Sequence, residues 1–217
     1  MKIEASLTEK FPGLETVDLD LRGLIIGKTS DELAKFKKEK LEEIRRKYGS
    51  LEQLKNVPVF RAYRDFYWAV GIDPTKTRPA GEALARRILA GKDLPEINTF
   101  VDSYNLASAE SGIAIGAFDL SHMNENALLM RLAKPGEKFL GIGMPEPIDL
   151  SGIEVVIEDE SSKNLIAVYP YRDSDESKVT ESTRDVLLMM CGVPGISKDL
   201  LELAKRLAEE YAERFCR

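Results

Sequence analysis

The chain has 217 residues, of which 43% are hydrophobic and 31% charged, with 15 glycines and 10 prolines. This is enough apolar material for a real core; it excludes collagen-like, disordered and low-complexity chains, and no run approaches the roughly 18 to 20 apolar residues of a membrane span. A formal charge of −6 provides no global attraction for nucleic acid, so any contact with RNA has to come from a local basic patch.

The opening Met1–Ser6 lacks the apolar stretch of a signal peptide, which predicts a soluble, cytoplasmic protein. The first 27 residues read as extended, with Val17, Leu19 and Leu21 alternating against Asp18, Asp20 and Arg22. Ser30 is placed to cap a helix that carries Leu33, Phe36, Leu41, Ile44 and Tyr48 and ends at Gly49. A second helix follows Pro58 and closes at Gly71, and a third opens at Pro79 and stops before Gly91. Ile97 to Leu106 is apolar but interrupted by polar residues. Short strands are then predicted over 113–120, 127–132, 153–157, 165–169 and 186–190, before a last helix started by Ser197. Helices first, strands next and a closing helix predict one α+β domain over residues 1–217 rather than a βαβ repeat. Cys191 and Cys216 are too few for a disulfide framework and read as reduced thiols.

Several motifs nearly fit and fail. Gly23–Thr29 has three residues between its glycines where a phosphate-cradling loop needs four, and Leu24, Ile25 and Ile26 belong to a strand end. A calcium loop from Asp173 would need Gly and Glu where Lys178 and Arg184 stand. An Asp-x-Asp nucleophile at Asp173 and Asp175 stays open on spacing, although that chemistry wants further carboxylates. His122 is the single histidine and builds no metal cluster. Neither a metal nor a cofactor is expected.

Three groups of polar residues need an explanation. Asn98, Asp102 and Asn105 would share one face of a helix. Buried without partners, such groups cost roughly 1 to 3 kcal/mol each, so they either cap and tie down neighbouring loops or line a pocket. Tyr169 to Thr180, dense in charge and hydroxyl, either solvates a long turn or gathers round a ligand. Between Lys55 and Lys92 the bases outnumber the acids. Arg61, Arg64, Arg78, Arg86 and Arg87 there form either solvated helix faces or a local patch for RNA.

Ile97-Asn98-x-x-Val101-Asp102-x-x-Asn105, then Gly112, then Gly116-Ala117-Phe118-Asp119-Leu120, resembles the B3/B4 domain of the phenylalanyl-tRNA synthetase β subunit. Val155–Asp159 and Asp175–Leu188 are similar to that domain's second half, and Tyr63–Tyr67 with Gly71–Pro74 to its free-standing relatives. The resemblance covers about residues 59–193. It implies a β-sandwich-like mixed sheet core flanked by helices, with the N-terminal strand and helix and the C-terminal helix as additions. In the synthetase this domain hydrolyses tyrosine wrongly attached to phenylalanine tRNA. The implication is ester hydrolysis in trans at the aminoacylated 3′ end of a tRNA, with no DNA or membrane partner. By position, Asn105 matches a pocket asparagine, Gly116 falls where the synthetase has a histidine near the attacked ester, and Asp175 falls at or beside the glutamate that reads the tyrosine hydroxyl. Gly116 and Asp175 depart from the synthetase pattern. The implied catalytic set is Asn105, Gly116, Ala117 and Asp175, with the backbone N–H groups of Gly116 and Ala117 as oxyanion donors. The implied substrate contacts are Asn98, Asp102, Phe118, Asp119, Arg172, Asp173, Ser174, Glu176 and Thr180, with Arg172 meeting the terminal phosphate. RNA contact falls to the five arginines. The alternative is a non-catalytic module of the same fold that binds RNA or an amino acid.

Overall fold

The computed structural model describes residues 1–217. A two-residue strand, β1 (Lys2–Ile3), is followed by a six-residue helix, α1 (Ala5–Lys10), where the sequence reading expects extended chain. Six residues are too few to display a helical period. The turn is held instead by burial of Leu7 and by the Phe11 N–H closing onto the Leu7 carbonyl at 2.7 Å. β2 (Glu15–Leu21) follows the predicted alternation, burying Val17, Leu19 and Leu21.

Local signals set most helix ends. Ser30 accepts the Leu33 N–H at 3.2 Å and starts α2 (Asp31–Tyr48), which stops at Gly49 with φ +70°. α3 (Pro58–Ala69) has its proline in the first turn, and α4 (Ala80–Leu89) begins directly after Pro79. The interrupted run becomes α5 (Thr99–Ser111), capped by Asn98 and ended by left-handed Gly112. A Cβ on Gly81 would stand 2.4 Å from the Gly112 carbonyl oxygen, so this approach of α4 to the end of α5 requires glycine.

The remaining elements are β3 (Ile115–Asp119), β4 (Leu128–Leu132), β5 (Lys138–Phe139), β6 (Ile148–Asp149), β7 (Val155–Asp159), β8 (Asn164–Tyr169), β9 (Arg172–Asp173), β10 (Val186–Gly192) and α6 (Lys198–Phe215). Ser197 caps α6 by accepting the Leu200 N–H. The five predicted strands form with shifted ends. β1 falls within the stretch that reads as extended, whereas β5, β6 and β9 go unpredicted because two residues carry no alternation.

Strands pair into a three-stranded antiparallel sheet, β2–β10–β3, and a five-stranded sheet, β1–β4–β7–β8–β9, with a separate β5–β6 pair. β1 runs parallel to β4 and the other neighbours are antiparallel, so the larger sheet is mixed. The protein is an α+β fold with helices flanking these sheets. β10 is central and buried along its whole length. Period two divides β7: Val155 and Ile157 enter the main core, while Val156 joins Phe139 and Val168 in a small satellite core. No helix is long and apolar enough to cross a membrane. The sheets approach each other through β3 and β9, both edge strands.

Candidate functional site

A cavity of about 190 Å³ opens between α5, β3, β8, β9 and β10. Phe118, Ile157, Ala167 and Met189 give it largely apolar walls. Asn105, Tyr104, Arg172, Asp173 and Cys191 add the polar groups. An apolar cavity of about 150 Å³ holds one benzene. This one therefore suits a single amino-acid-sized group.

The polar face of α5 divides residue by residue. Asn98 accepts the Val101 N–H at 2.8 Å and is the helix cap. Asp102 is sealed: Oδ2 takes the Lys37 ammonium at 2.9 Å and the Thr29 hydroxyl at 2.6 Å, and Oδ1 takes the Ile97 N–H at 2.9 Å. Lys37 also donates to the Pro95 carbonyl, so the pair ties two loops to two helices. Neither Asn98 nor Asp102 reaches the cavity, and both take the capping-and-tying reading of this face. Asn105 lines the cavity, and its amide has no partner in the protein.

Asp173 is the cavity's carboxylate. Its Oδ2 accepts the Ala117 N–H at 3.1 Å, stitching β9 to β3. Burial raises its pKa to about 7, against smaller downward pulls from that N–H and from Arg172. Burial also pushes the Tyr104 hydroxyl and the Cys191 thiol up, with Asp173 as the next cause for each.

The expected pair of oxyanion donors is corrected by register. In an antiparallel ladder alternate residues point to opposite sides. The Cys191 N–H donates to Ala114 at 2.9 Å, so Gly116, of the same parity and opposite Met189, also turns its N–H towards β10. Ala117 alone points outward from the edge, and Asp173 holds its donor. Gly116 matters through its missing side chain. A Cβ there would stand 3.0 Å from the Phe118 ring and 3.1 Å from Asp173 Oδ1.

Phe118 and Arg172 line the cavity, and the other expected site residues lie elsewhere. Asp175 pairs with Lys178 at 2.8 Å and Glu176 bonds Asn164, so neither carboxylate faces the cavity, and the two aspartates of the Asp-x-Asp motif part company. Ser174 pairs across to Gly141. Asp119, the last residue of β3, takes the Thr183 and Ser121 hydroxyls, each at 2.6 Å. Thr180 closes a turn with Thr183. Arg172 lines the rim, but its guanidinium donates to the Ile142 carbonyl at 2.6 Å and lies over the Tyr171 ring. Of the arginines, Arg64 and Arg86 both clamp the buried Glu82, whose pKa burial would raise but which these bonds hold below its usual value. Arg87 donates to the Asp93 carbonyl, while Arg61 and Arg78 are exposed. Tyr104 and Cys191 line the cavity without being predicted from the sequence. Tyr104 adjoins Asn105 in the chain, a usable signal, whereas Cys191 sits in a strand that reads as plain core.

A family model described as "B3/4 domain" matches residues 62–217. The chain is 34% identical over 104 residues to the phenylalanine–tRNA ligase beta subunit of Thermotoga maritima, covering 48% of this chain and 13% of that protein. It is 26% identical over 149 residues to the corresponding subunit of Symbiobacterium thermophilum, covering 69% of this chain and 16% of that one. The chain thus spans about a sixth or less of the curated relatives it matches. An N-terminal fragment of the phenylalanyl-tRNA synthetase beta subunit from Pyrococcus horikoshii shares the fold, with a TM-score of 0.52 at 13% identity over 99% of this chain and 48% of that fragment.

Proposed function

The chain belongs to the B3/4 domain family, and on that premise we propose that it hydrolyses the ester joining a misattached amino acid to the 3′ end of tRNA, acting in trans. The observation that carries this reading is the cavity: an amino-acid-sized hollow with a free amide at Asn105 and a carboxyl at Asp173. The relatives named above act on tRNA by their names, and this chain matches a short part of each. An aminoacyl ester is already activated, so its hydrolysis needs little beyond a placed water and a donor for the developing oxyanion.

In this reading the amino acid enters the cavity and Asn105 orients the water or the ribose. The carboxylate role moves from Asp175 to Asp173, because only Asp173 faces the hollow. Arg61, Arg78 and Arg87 remain to meet the RNA backbone, since Arg64 and Arg86 are occupied by Glu82.

The test is a panel of mischarged tRNAs. The protein is expected to deacylate at least one, and Asn105→Ala to slow that reaction at least about tenfold. A panel that survives incubation overturns the proposal. One observation favours a second reading, a binder without chemistry: the edge donor of Ala117 is already held by Asp173. Such a module would be stabilised against heat by a free amino acid or uncharged tRNA, yet would leave every ester intact.

A further inference from the structure

Asp173 stands where the two sheet edges meet, and its two oxygens have different settings. Oδ2 is held by the Ala117 N–H. Oδ1 has no hydrogen-bond partner in the protein and is not sealed from the cavity. It lies 3.1 Å from the place a Cβ on residue 116 would take, so glycine there leaves this oxygen uncovered. A carboxylate with one oxygen anchored and the other open to a cavity that an unpartnered amide also lines is fixed in direction and free to accept a proton.

We infer that Asp173 is the general base of this site, its Oδ1 taking a proton from the water that attacks the aminoacyl ester. The inference rests on the esterase reading and adds the residue that moves the proton. As that proton passes to Oδ1, the water oxygen bonds to the ester carbon and the carbonyl electron pair moves onto its own oxygen. The tetrahedral intermediate then collapses, breaking the bond from carbon to the ribose oxygen, and the proton on Asp173 passes to that departing oxygen. One water is consumed, the free amino acid and a tRNA hydroxyl are formed, and the carboxylate is regenerated.

Its surroundings fit the task. Apolar walls hold this carboxyl at about 7, where a base is deprotonated at working pH and still basic enough to draw a proton. The groups packed round it are Arg172 on its own strand, Tyr171 at the rim, Tyr104 from α5, Tyr169 from β8 and Cys191 from β10. Burial pushes Tyr104, Tyr169 and Cys191 upward, away from the pH range in which Asp173 changes charge. The substrate's own α-amino group also titrates near neutral pH, so an inflection near 7 is assigned to Asp173 where Asp173→Asn removes it.

The experiment is single-turnover deacylation of mischarged tRNA from about pH 5.5 to 8.5, corrected for spontaneous hydrolysis. The wild-type rate is expected to rise with pH and level off above about 7. Asp173→Asn keeps the size of the side chain and an acceptor for the Ala117 N–H. It is expected to lower the rate about 100-fold or more and to abolish the inflection. A variant that keeps both rate and inflection overturns the assignment and leaves the esterase reading standing. A wild type that cleaves no ester overturns both. Thermal unfolding checks that the variant folds; should it not, the wild-type profile decides, and a profile without the inflection rejects Asp173 as base.

Discussion

Two regions meet helix α5 on opposite terms. In its first turn Asp102 is 1% exposed and sealed by an ammonium, a hydroxyl and a backbone N–H. One turn later Asn105 opens onto the hollow where Asp173 has a single backbone donor and one oxygen unclaimed. Asp102 is buried and Asp173 half-buried. The difference lies in satisfaction: a fully bonded buried acid acts as a rivet, and an under-bonded one beside a void is available to a ligand.

The contrast is most easily broken at the rivet. Asp102→Ala leaves Lys37, itself 5% exposed, without its counter-charge, and removes the acceptor of the Ile97 N–H. A loss of about 3–5 kcal/mol is expected in denaturant unfolding. A loss below about 1 kcal/mol would mean that Asp102 is no rivet.

Asp173 is expected to behave in the opposite sense. Its folded pKa of about 7 lies above the ordinary value of 3.8, so the folded protein keeps a proton that the unfolded chain has released between those values. Stability at this residue therefore falls as pH rises from about 4 to about 7, and stays reduced above that range. Asp173→Asn removes the cost. Discounted for the cavity's access to water, the variant is expected to exceed wild type by on the order of 2 kcal/mol at pH 8, with the gain fading towards pH 4. Paired unfolding curves at the two pH values check the sign, and a variant less stable than wild type at pH 8 would erase the contrast.

The smallest effect sharpens the comparison at the cavity wall. Gly116→Ala places a methyl 3.0 Å from Phe118 and 3.1 Å from Asp173 Oδ1, so one or both must shift. A loss of about 1 kcal/mol is expected by thermal unfolding. No loss would mean that the wall around Phe118 and Asp173 gives way freely.

Much of the framework was legible beforehand. Ser30, Gly49 and Ser197 mark helix ends through bonds made within a few residues, and the alternation of Val17, Leu19 and Leu21 survives in β2. The face carrying Asn98, Asp102 and Asn105 was readable as polar, yet its two explanations were both correct at different positions. Lys37 lies 65 residues from Asp102, beyond any local pattern. The cavity's carboxylate is Asp173, whereas the resemblance points to Asp175. Two residues along extended chain is about 6.6 Å, enough to carry that carboxyl past the end of the cavity to Lys178.

Sequence alone determined the caps, the alternating strands and the α+β class, because those follow from contacts between near neighbours. Only the tertiary structure decided that the edges of β3 and β9 meet. Gly116 and Ala117 are adjacent, but the register of β10 turns one N–H inward and leaves the other for Asp173, 56 residues away. Which acid lacks partners is likewise settled by groups distant in the chain, since a hydrogen bond is satisfied by position in space and not by order along the backbone.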